Sequence, residues 1–250
     1  GLKPGSPPDL WNLSEPEKPK SIYKAFIDAG ADIILTNTFG SNPHRLILDK
    51  MDHKYKEINF NGASLARKVA ERADRPVIVA GSMGPTGGMM QPYGDLTVDL
   101  VEEAFSKQAN ALAEGGCDVI WIETIFALDE LGAAIRGAIK CGLPVVSTIT
   151  FDTASRTMMG DTPQSVVDFI HGFDPRLIAF GANCGAGPAM LIDTVAKICK
   201  AADQNDVIVA KGNCGMPQMV DGKVQYSGTK EIMAEYAMLA RDCGARIIGG

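Results

Sequence analysis

Apolar residues come along this chain in short unbroken runs, with stretches of helical spacing between them. The runs lie at 31–36, 77–81, 118–123, 144–150, 177–183, 207–211 and 245–249. None alternates apolar with polar, and most are bounded by Gly or Pro. That is the pattern of strands buried on both faces, as in parallel sheets. Three runs share one phrase: Ala29-Gly-Ala-Asp-Ile-Ile-Leu-Thr36, Gly115-Gly-Cys-Asp-Val-Ile-Trp-Ile-Glu123 and Cys243-Gly-Ala-Arg-Ile-Ile-Gly249. The Gly in each closes the preceding helix. Between the runs, Val101, Ala104, Phe105, Ala109, Leu112 and Ala113 fall on one face at spacings of three and four, predicting a helix over 101–114. Ile232, Met233, Tyr236, Ala237 and Ala240 predict another over 229–242, and Ile22, Phe26 and Ala29 mark a helix before the first run. Strands alternating with helices imply a parallel sheet with right-handed crossovers. Seven runs, plus a first strand expected to precede the chain, give an α/β fold of the (β/α)8 TIM-barrel type, one domain over 1–250. A doubly wound open sheet is the alternative. No G-x-G-x-x-G follows any run, which disfavours its dinucleotide-binding version.

Composition narrows the function classes. Of 250 residues, 46% are hydrophobic and 22% charged, the balance of a globular domain. The net charge is −6 with no basic stripe, so nucleic acid and anionic membranes are not expected partners. No run is long enough to span a bilayer, and no signal-peptide pattern opens the chain. Six Cys, at 117, 141, 184, 199, 214 and 243, are widely spaced with no C-x-x-C pair. That is not the framework of a small secreted domain, and a cytoplasmic location is expected. The opening Gly1–Gly5 has a loop composition, and the chain closes on Gly249-Gly250 directly after an apolar run. Both ends are expected to continue.

In a parallel α/β fold, chemistry sits at the C-terminal ends of the strands. Those ends carry Thr36-Asn37-Thr38, Ser82-Met83-Gly84-Pro85-Thr86, Glu123-Thr124, Thr150 with Asp152, Asn183-Cys184 and Asn213-Cys214. A thiol where a buried strand meets a Gly-rich turn, as at Cys184, is a metal ligand, a nucleophile or a small core residue. Glu123 ends an apolar strand and needs a cationic or hydrogen-bonding partner. A substrate ammonium would serve, as would a Lys or Arg from another loop. The loop 81–87 is Gly-rich without the Gly-Lys-Ser/Thr of a P-loop. It either offers amides to a carboxylate or makes only a tight turn. His44, His53 and His171 stand in polar contexts and read as solvated surface residues. Met158-Met159 either lines a pocket or fills the core.

These motifs resemble one family. Gly30-Ala-Asp-Ile-Ile-Leu-Thr-Asn-Thr-Phe-Gly40, Gly84-Pro-Thr-Gly87, Trp121-Ile-Glu-Thr124, Gly181-Ala-Asn-Cys-Gly185 and Gly244-Ala-Arg-Ile-Ile-Gly-Gly250 resemble the homocysteine S-methyltransferases, in the family's order. Phe151-Asp-Thr-Ala154, Thr157-Met-Met-Gly160, Lys211-Gly-Asn-Cys-Gly-Met-Pro217 and Tyr226-Ser-Gly-Thr229 look like its bacterial betaine–homocysteine branch. The resemblance implies a zinc (β/α)8 barrel. It would move a methyl group from glycine betaine, or a related onium donor, to homocysteine, giving methionine and dimethylglycine. Dimethylsulfoniopropionate, S-methylmethionine and methyltetrahydrofolate with a corrinoid protein are the alternative donors. A non-catalytic amino-acid-binding barrel is the alternative class. Cys184 matches one zinc ligand; the family's adjacent Cys pair, after Ile-x-Gly-Gly, would follow Gly250. Glu123 matches the acid that holds the homocysteine amino group, and Asn183 the Asn beside the zinc Cys. Thr36, Asn37, Thr38 and Gly84 are expected at the substrate, and Cys214 near the metal as an accessory thiol. Gly40 and Thr124 stand where the animal betaine enzymes have cage tyrosines, leaving Trp11 as one expected aromatic wall for the donor. A homo-oligomer, dimer or tetramer, is expected.

Overall fold

The computed structural model describes residues 7–216, 218–220 and 223–250, with Thr153, Val220 and Lys223 as backbone only. The opening Gly1–Gly5 and Pro217 of the Lys211–Pro217 motif lie outside them. All seven expected strands form, with ends displaced by a few residues. They are β1 (Ile33–Leu35), β2 (Ile78–Met83), β3 (Val119–Ile125), β4 (Val145–Thr150), β5 (Ala179–Cys184), β6 (Ile208–Gly212) and β9 (Ile247–Gly249). They belong to one parallel sheet whose order follows the chain. A doubly wound sheet reverses its strand order partway. The unbroken order here is that of the (β/α) barrel, and the helices alternate with the strands accordingly.

The chain divides into two compact units. The first is Gly1–Glu123 with Asp129–Val145. Here β1 pairs with β2 through Ile33↔Ile78, β2 pairs with β3 through Ala80↔Val119, and Ile120 N–H donates to Pro144 O at the edge of β4. The helices of this unit include α3 (Pro43–Ile47), α4 (Tyr55–Ala70), α5 (Val98–Glu114) and α6 (Leu128–Ile139), of which α4 and α5 pack on β2. Of the face predicted for α5, Val101, Phe105, Ala109 and Leu112 are fully buried. Thr97 caps that helix, its hydroxyl accepting Leu100 N–H.

The helix expected around Ile22 forms as α2 (Glu17–Asp28), after the short α1 (Trp11–Ser14), but its packed face differs from the prediction. Ile22 and Phe26 are 47% and 54% exposed, while Tyr23 is buried. Tyr23 gives its ring to the core and its oxygen to Asn37 N–H at 2.7 Å, so it is the better anchor.

The second unit is Thr124–Leu128 with Val146–Gly250. Here β5 pairs with β4 and β6 in register, Thr150↔Asn183 and Cys184↔Gly212, and β6 pairs with β9 through Lys211↔Gly249. Helices α7 (Pro163–His171), α8 (Pro188–Ala201) and α9 (Lys230–Asp242) belong to this unit. Thr162 and Ser165 form a capping box on α7. On α9, Tyr236 and Ala240 are buried as predicted, but Ile232 is 43% exposed. The approach of β5 to β6 requires Gly181: a Cβ there would lie 1.9 Å from the Val209 carbonyl oxygen. An antiparallel pair with no place in the strand–helix alternation, β7 (Gln218–Val220) with β8 (Lys223–Gln225), is inserted after β6. Among the described residues no helix is long and apolar enough to cross a membrane.

Candidate active site

In the first unit the strand-end residues are bound to one another by a directional chain of hydroxyls. Thr38 Oγ1 donates to Ser82 O at 2.7 Å, so the 2.6 Å contact between the two threonine oxygens leaves Thr36 as donor to Thr38. Thr36 Oγ1 in turn accepts Ser82 N–H at 3.0 Å. Ser82, fixed on both sides of its backbone, donates its own hydroxyl to Glu123 Oε1 at 2.5 Å. Glu123 is 6% exposed, so this carboxyl is desolvated and held in one place. The side chains of Thr36 and Thr38, expected at the substrate, therefore spend their hydrogen bonds on Ser82, the residue that holds Glu123.

Asn37 is committed in the same way. Its Nδ2 donates to Pro8 O and Asn12 Oδ1, and its carbonyl accepts Asn12 Nδ2–H. It ties the segment before α1 to the end of β1. Trp11 opens α1, and the Lys18 ammonium lies 4.5 Å from its ring centroid. That cation occupies the ring as an onium donor would. Gly84 donates its N–H to Phe39 O, and the Phe39 ring lies against its Cα, where a Cβ would come within 2.6 Å of the ring.

In the second unit the constellation is Thr124, Asn183 and Cys184. Thr124 N–H donates to Asn183 Oδ1 at 3.0 Å. A backbone N–H can only donate, which settles the orientation of the Asn183 amide. Its Nδ2 therefore donates to Thr124 Oγ1 at 2.7 Å and to Cys184 Sγ at 3.2 Å. Having accepted from Asn183, Thr124 Oγ1 also lies 3.9 Å from the same sulfur. The sulfur is thus a hydrogen-bond acceptor toward Asn183, while in its contact with Thr124 either atom can donate. Both ends of the contact are in left-handed backbone, Thr124 at φ +65° and Cys184 at φ +59°. A β-branched residue there is an outlier, costing on the order of 1–3 kcal/mol. Asn183 is 1% exposed and Cys184 is half-buried. Asn213 Nδ2 donates to Gly185 O at 3.0 Å and so steadies the turn after Cys184.

Cys214 lies two residues past Gly212, the register partner of Cys184. Its carbonyl is taken by Gly228 N–H. By contrast, burial pushes the Cys117 thiol up to about 12, so that residue is a neutral core thiol at physiological pH.

A zinc site requires three protein ligands and an open position. Cys184, half-buried with the Asn183 amide donating to its sulfur, fits one of them. The described residues do not bring a further pair of ligand atoms to it. Among these residues, the His, Cys, Asp and Glu side chains close enough to share an ion are His171, Asp203 and Asp206. His171, at the end of α7, was expected to be solvated. Instead its Nε2 lies 2.8 Å from Asp206 Oδ2, and Arg176 reaches Asp203 at 3.1 Å. This cluster lies on the loops leading into β5 and β6, at the end of those strands away from Cys184. It already holds a guanidinium. Met158 and Met159 are 72% and 47% exposed and fill no core.

The sequence model of the homocysteine S-methyltransferase family matches residues 4–250. Methionine synthase of Mycobacterium tuberculosis is 26% identical over 97% of this chain, which spans 21% of that protein's length. Homocysteine methyltransferase MmuM of Escherichia coli, solved in a metallated form, is 20% identical with a TM-score of 0.80 over 100% of this chain and 85% of its own. A dihydrodipicolinate synthase of Bacillus anthracis shares the fold at a TM-score of 0.54 and 11% identity, over 94% of this chain and 63% of its own. Likeness in structure at these identities shows the fold, and the family match covers nearly every residue. The chain belongs to the homocysteine S-methyltransferase family.

Proposed function

We propose that this chain is a single catalytic domain transferring a methyl group to the sulfur of homocysteine. The Thr124–Asn183–Cys184 constellation carries the reading. It is a strand-end thiol given the Asn183 amide as donor and the Thr124 hydroxyl as neighbour at the expense of two strained backbone positions, which a plain core cysteine does not need. Glu123, held by Ser82, takes the substrate ammonium, and Asn183 keeps Cys184 oriented. Zinc is part of the proposal, with Cys184 as one ligand and Cys214 near it without being obligatory. A bound zinc ion keeps a coordinated thiol deprotonated at neutral pH.

In the reaction the homocysteine thiolate attacks the methyl carbon in line. The new S–C bond forms as the bond from carbon to the donor heteroatom breaks, and that heteroatom keeps the electron pair. With glycine betaine it leaves as the neutral amine of dimethylglycine. The residues described here supply position and desolvation. A second reading concerns the donor. Gly40 and Thr124 present no aromatic face, and Lys18 occupies the Trp11 ring. This favours a donor bound without an aromatic cage, such as S-methylmethionine or methyltetrahydrofolate with a corrinoid partner.

Methionine formation by the full-length protein, supplied with homocysteine and each donor in turn, tests both readings. No turnover with any of them would leave the non-catalytic binding barrel. With the productive donor, Glu123→Gln should raise the homocysteine KM by about 10- to 100-fold, the worth of a hydrogen bond to a charged group. The donor KM should stay within about twofold, and an unchanged homocysteine KM would remove Glu123 from the substrate site. Cys214→Ser should retain its zinc and lose only a modest part of its turnover. Loss of zinc from that variant would make Cys214 a ligand.

A further inference from the structure

We propose that Gln108 is a positioning residue: from α5 it holds the Thr38 carbonyl, and through Thr38 and Ser82 it sets where the Glu123 carboxyl stands. The inference rests on the reading of Glu123 as the group that takes the homocysteine ammonium, and extends it to a helix residue at the far end of a hydrogen-bonded chain.

Gln108 interrupts the apolar face of α5 and is itself fully buried. Its Nε2 donates to Thr38 O at 2.9 Å and to Asn59 Oδ1 at 3.1 Å. A backbone carbonyl can only accept, so the orientation of the Gln108 amide is fixed. The other end of that amide, Oε1, is buried and has no hydrogen-bond partner among the described residues. An unsatisfied buried acceptor is costly, and an apolar side chain of the same shape would avoid it. Nor does the Thr38 carbonyl need Gln108 for its own satisfaction, because it also accepts Ser41 N–H at 3.1 Å. What the glutamine adds is a fixed position for Thr38, at the cost of its own oxygen.

Thr38 passes that position on. It is fully buried, and its methyl group lies against α4 at Gly62, where a Cβ would come within 2.5 Å of Thr38 Cγ2. Asn59, also on α4, holds the other end of the same turn, its Nδ2 donating to Ser41 O at 2.9 Å. Two helices therefore grip the turn after β1. From there Thr38 Oγ1 donates to Ser82 O at 2.7 Å, and Ser82 Oγ to Glu123 Oε1 at 2.5 Å. Every member of the chain belongs to the first unit. A charge-assisted bond is short and directional, so the grip of Glu123 on an ammonium follows the placement of its carboxyl.

The test compares homocysteine with 4-sulfanylbutanoate, which keeps the thiol and carboxylate and lacks the amine. Each is measured on the full-length protein as a methyl acceptor or, where it is not turned over, as a competitive inhibitor. Gln108→Met keeps the length and removes the donor. It exchanges one orphaned buried atom, Gln108 Oε1, for another, Asn59 Oδ1, so Tm should move by no more than about 4 °C. The homocysteine KM should rise by about tenfold, as for a weakened hydrogen bond to a charged group. The constant for the amine-free thiol should stay within about twofold. Gly62→Ala, which displaces Thr38 from α4, should act in the same direction and carries the comparison if Gln108→Met does not fold. Added to Glu123→Gln, Gln108→Met should change the homocysteine KM by less than about twofold, because both act through one carboxyl. If the two effects multiply, or if Gln108→Met affects both thiols alike or neither, while Glu123→Gln stays selective for homocysteine, only this inference fails. If Glu123→Gln does not discriminate between the two thiols, the reading of Glu123 fails with it.

Discussion

Gly181→Ala should destabilise the protein by about 3 kcal/mol or more, as overpacking against rigid structure does, and lower its Tm by roughly 6–12 °C for a chain of this size. The added Cβ would lie 1.9 Å from the Val209 oxygen and 2.7 Å from the Val209 carbonyl carbon and nitrogen. No rotamer change relieves a contact with backbone. The only relief is to move β5 from β6, and that breaks the ladder in which Gly181 pairs with Val209 and Cys184 with Gly212. Thermal unfolding followed by circular dichroism reads the effect directly. A Tm within about 2 °C of wild type would mean that the two strands separate more easily than their register implies. The variant should lose activity beyond its loss of folded protein, because the displaced strand ends at Cys184.

Cys184→Ala should reduce methionine formation to background and abolish stoichiometric zinc in the full-length protein, with little change in Tm. The removed thiol is half-buried and leaves no large void. What goes is the sulfur that accepts from Asn183 Nδ2 and meets Thr124 Oγ1. Cys117→Ala is the control. That thiol is desolvated and protonated, so its removal should cost stability and leave zinc and turnover alone. Metal analysis and turnover of both variants decide the matter. Equal zinc in Cys184→Ala and wild type would refute its role as a ligand.

The fold was largely legible because parallel strands buried on both faces leave apolar runs that need no alternation to be found. All seven runs became strands. Helix faces were less legible where one polar bond outranks hydropathy. On α2, Ile22 and Phe26 are the more apolar residues, yet Tyr23 is buried because its oxygen meets Asn37 N–H. The β7–β8 pair had a signal in Asp221-Gly222, a common hairpin dipeptide, which the strand–helix alternation overshadowed.

Glu123, Asn183 and Cys184 stand out in the sequence as polar residues at the ends of apolar runs. What was not legible is who holds whom. Thr36 and Thr38, expected at the substrate, also hold Ser82, and Ser82 holds Glu123. Gln108 carries no sequence signal beyond being a polar residue within a helical pattern, and its partner Thr38 is 70 residues away. His171 reads as solvated because its two aspartates are remote in sequence.

The left-handed pair Thr124 and Cys184 sets opposed selection pressures on the same two positions. A glycine at either would relax the backbone and raise stability, the usual gain where a native φ is unsuited to a side chain. Glycine at 124 would remove the hydroxyl that Asn183 leans on, and glycine at 184 would remove the sulfur. A campaign of directed evolution scored on thermal tolerance alone should therefore be drawn toward these substitutions and return sturdier, inert proteins. Scored on methionine formation, the same library should keep the threonine and the cysteine and accumulate its stabilising changes elsewhere, a division of the molecule into positions that stability can reach and positions that it cannot.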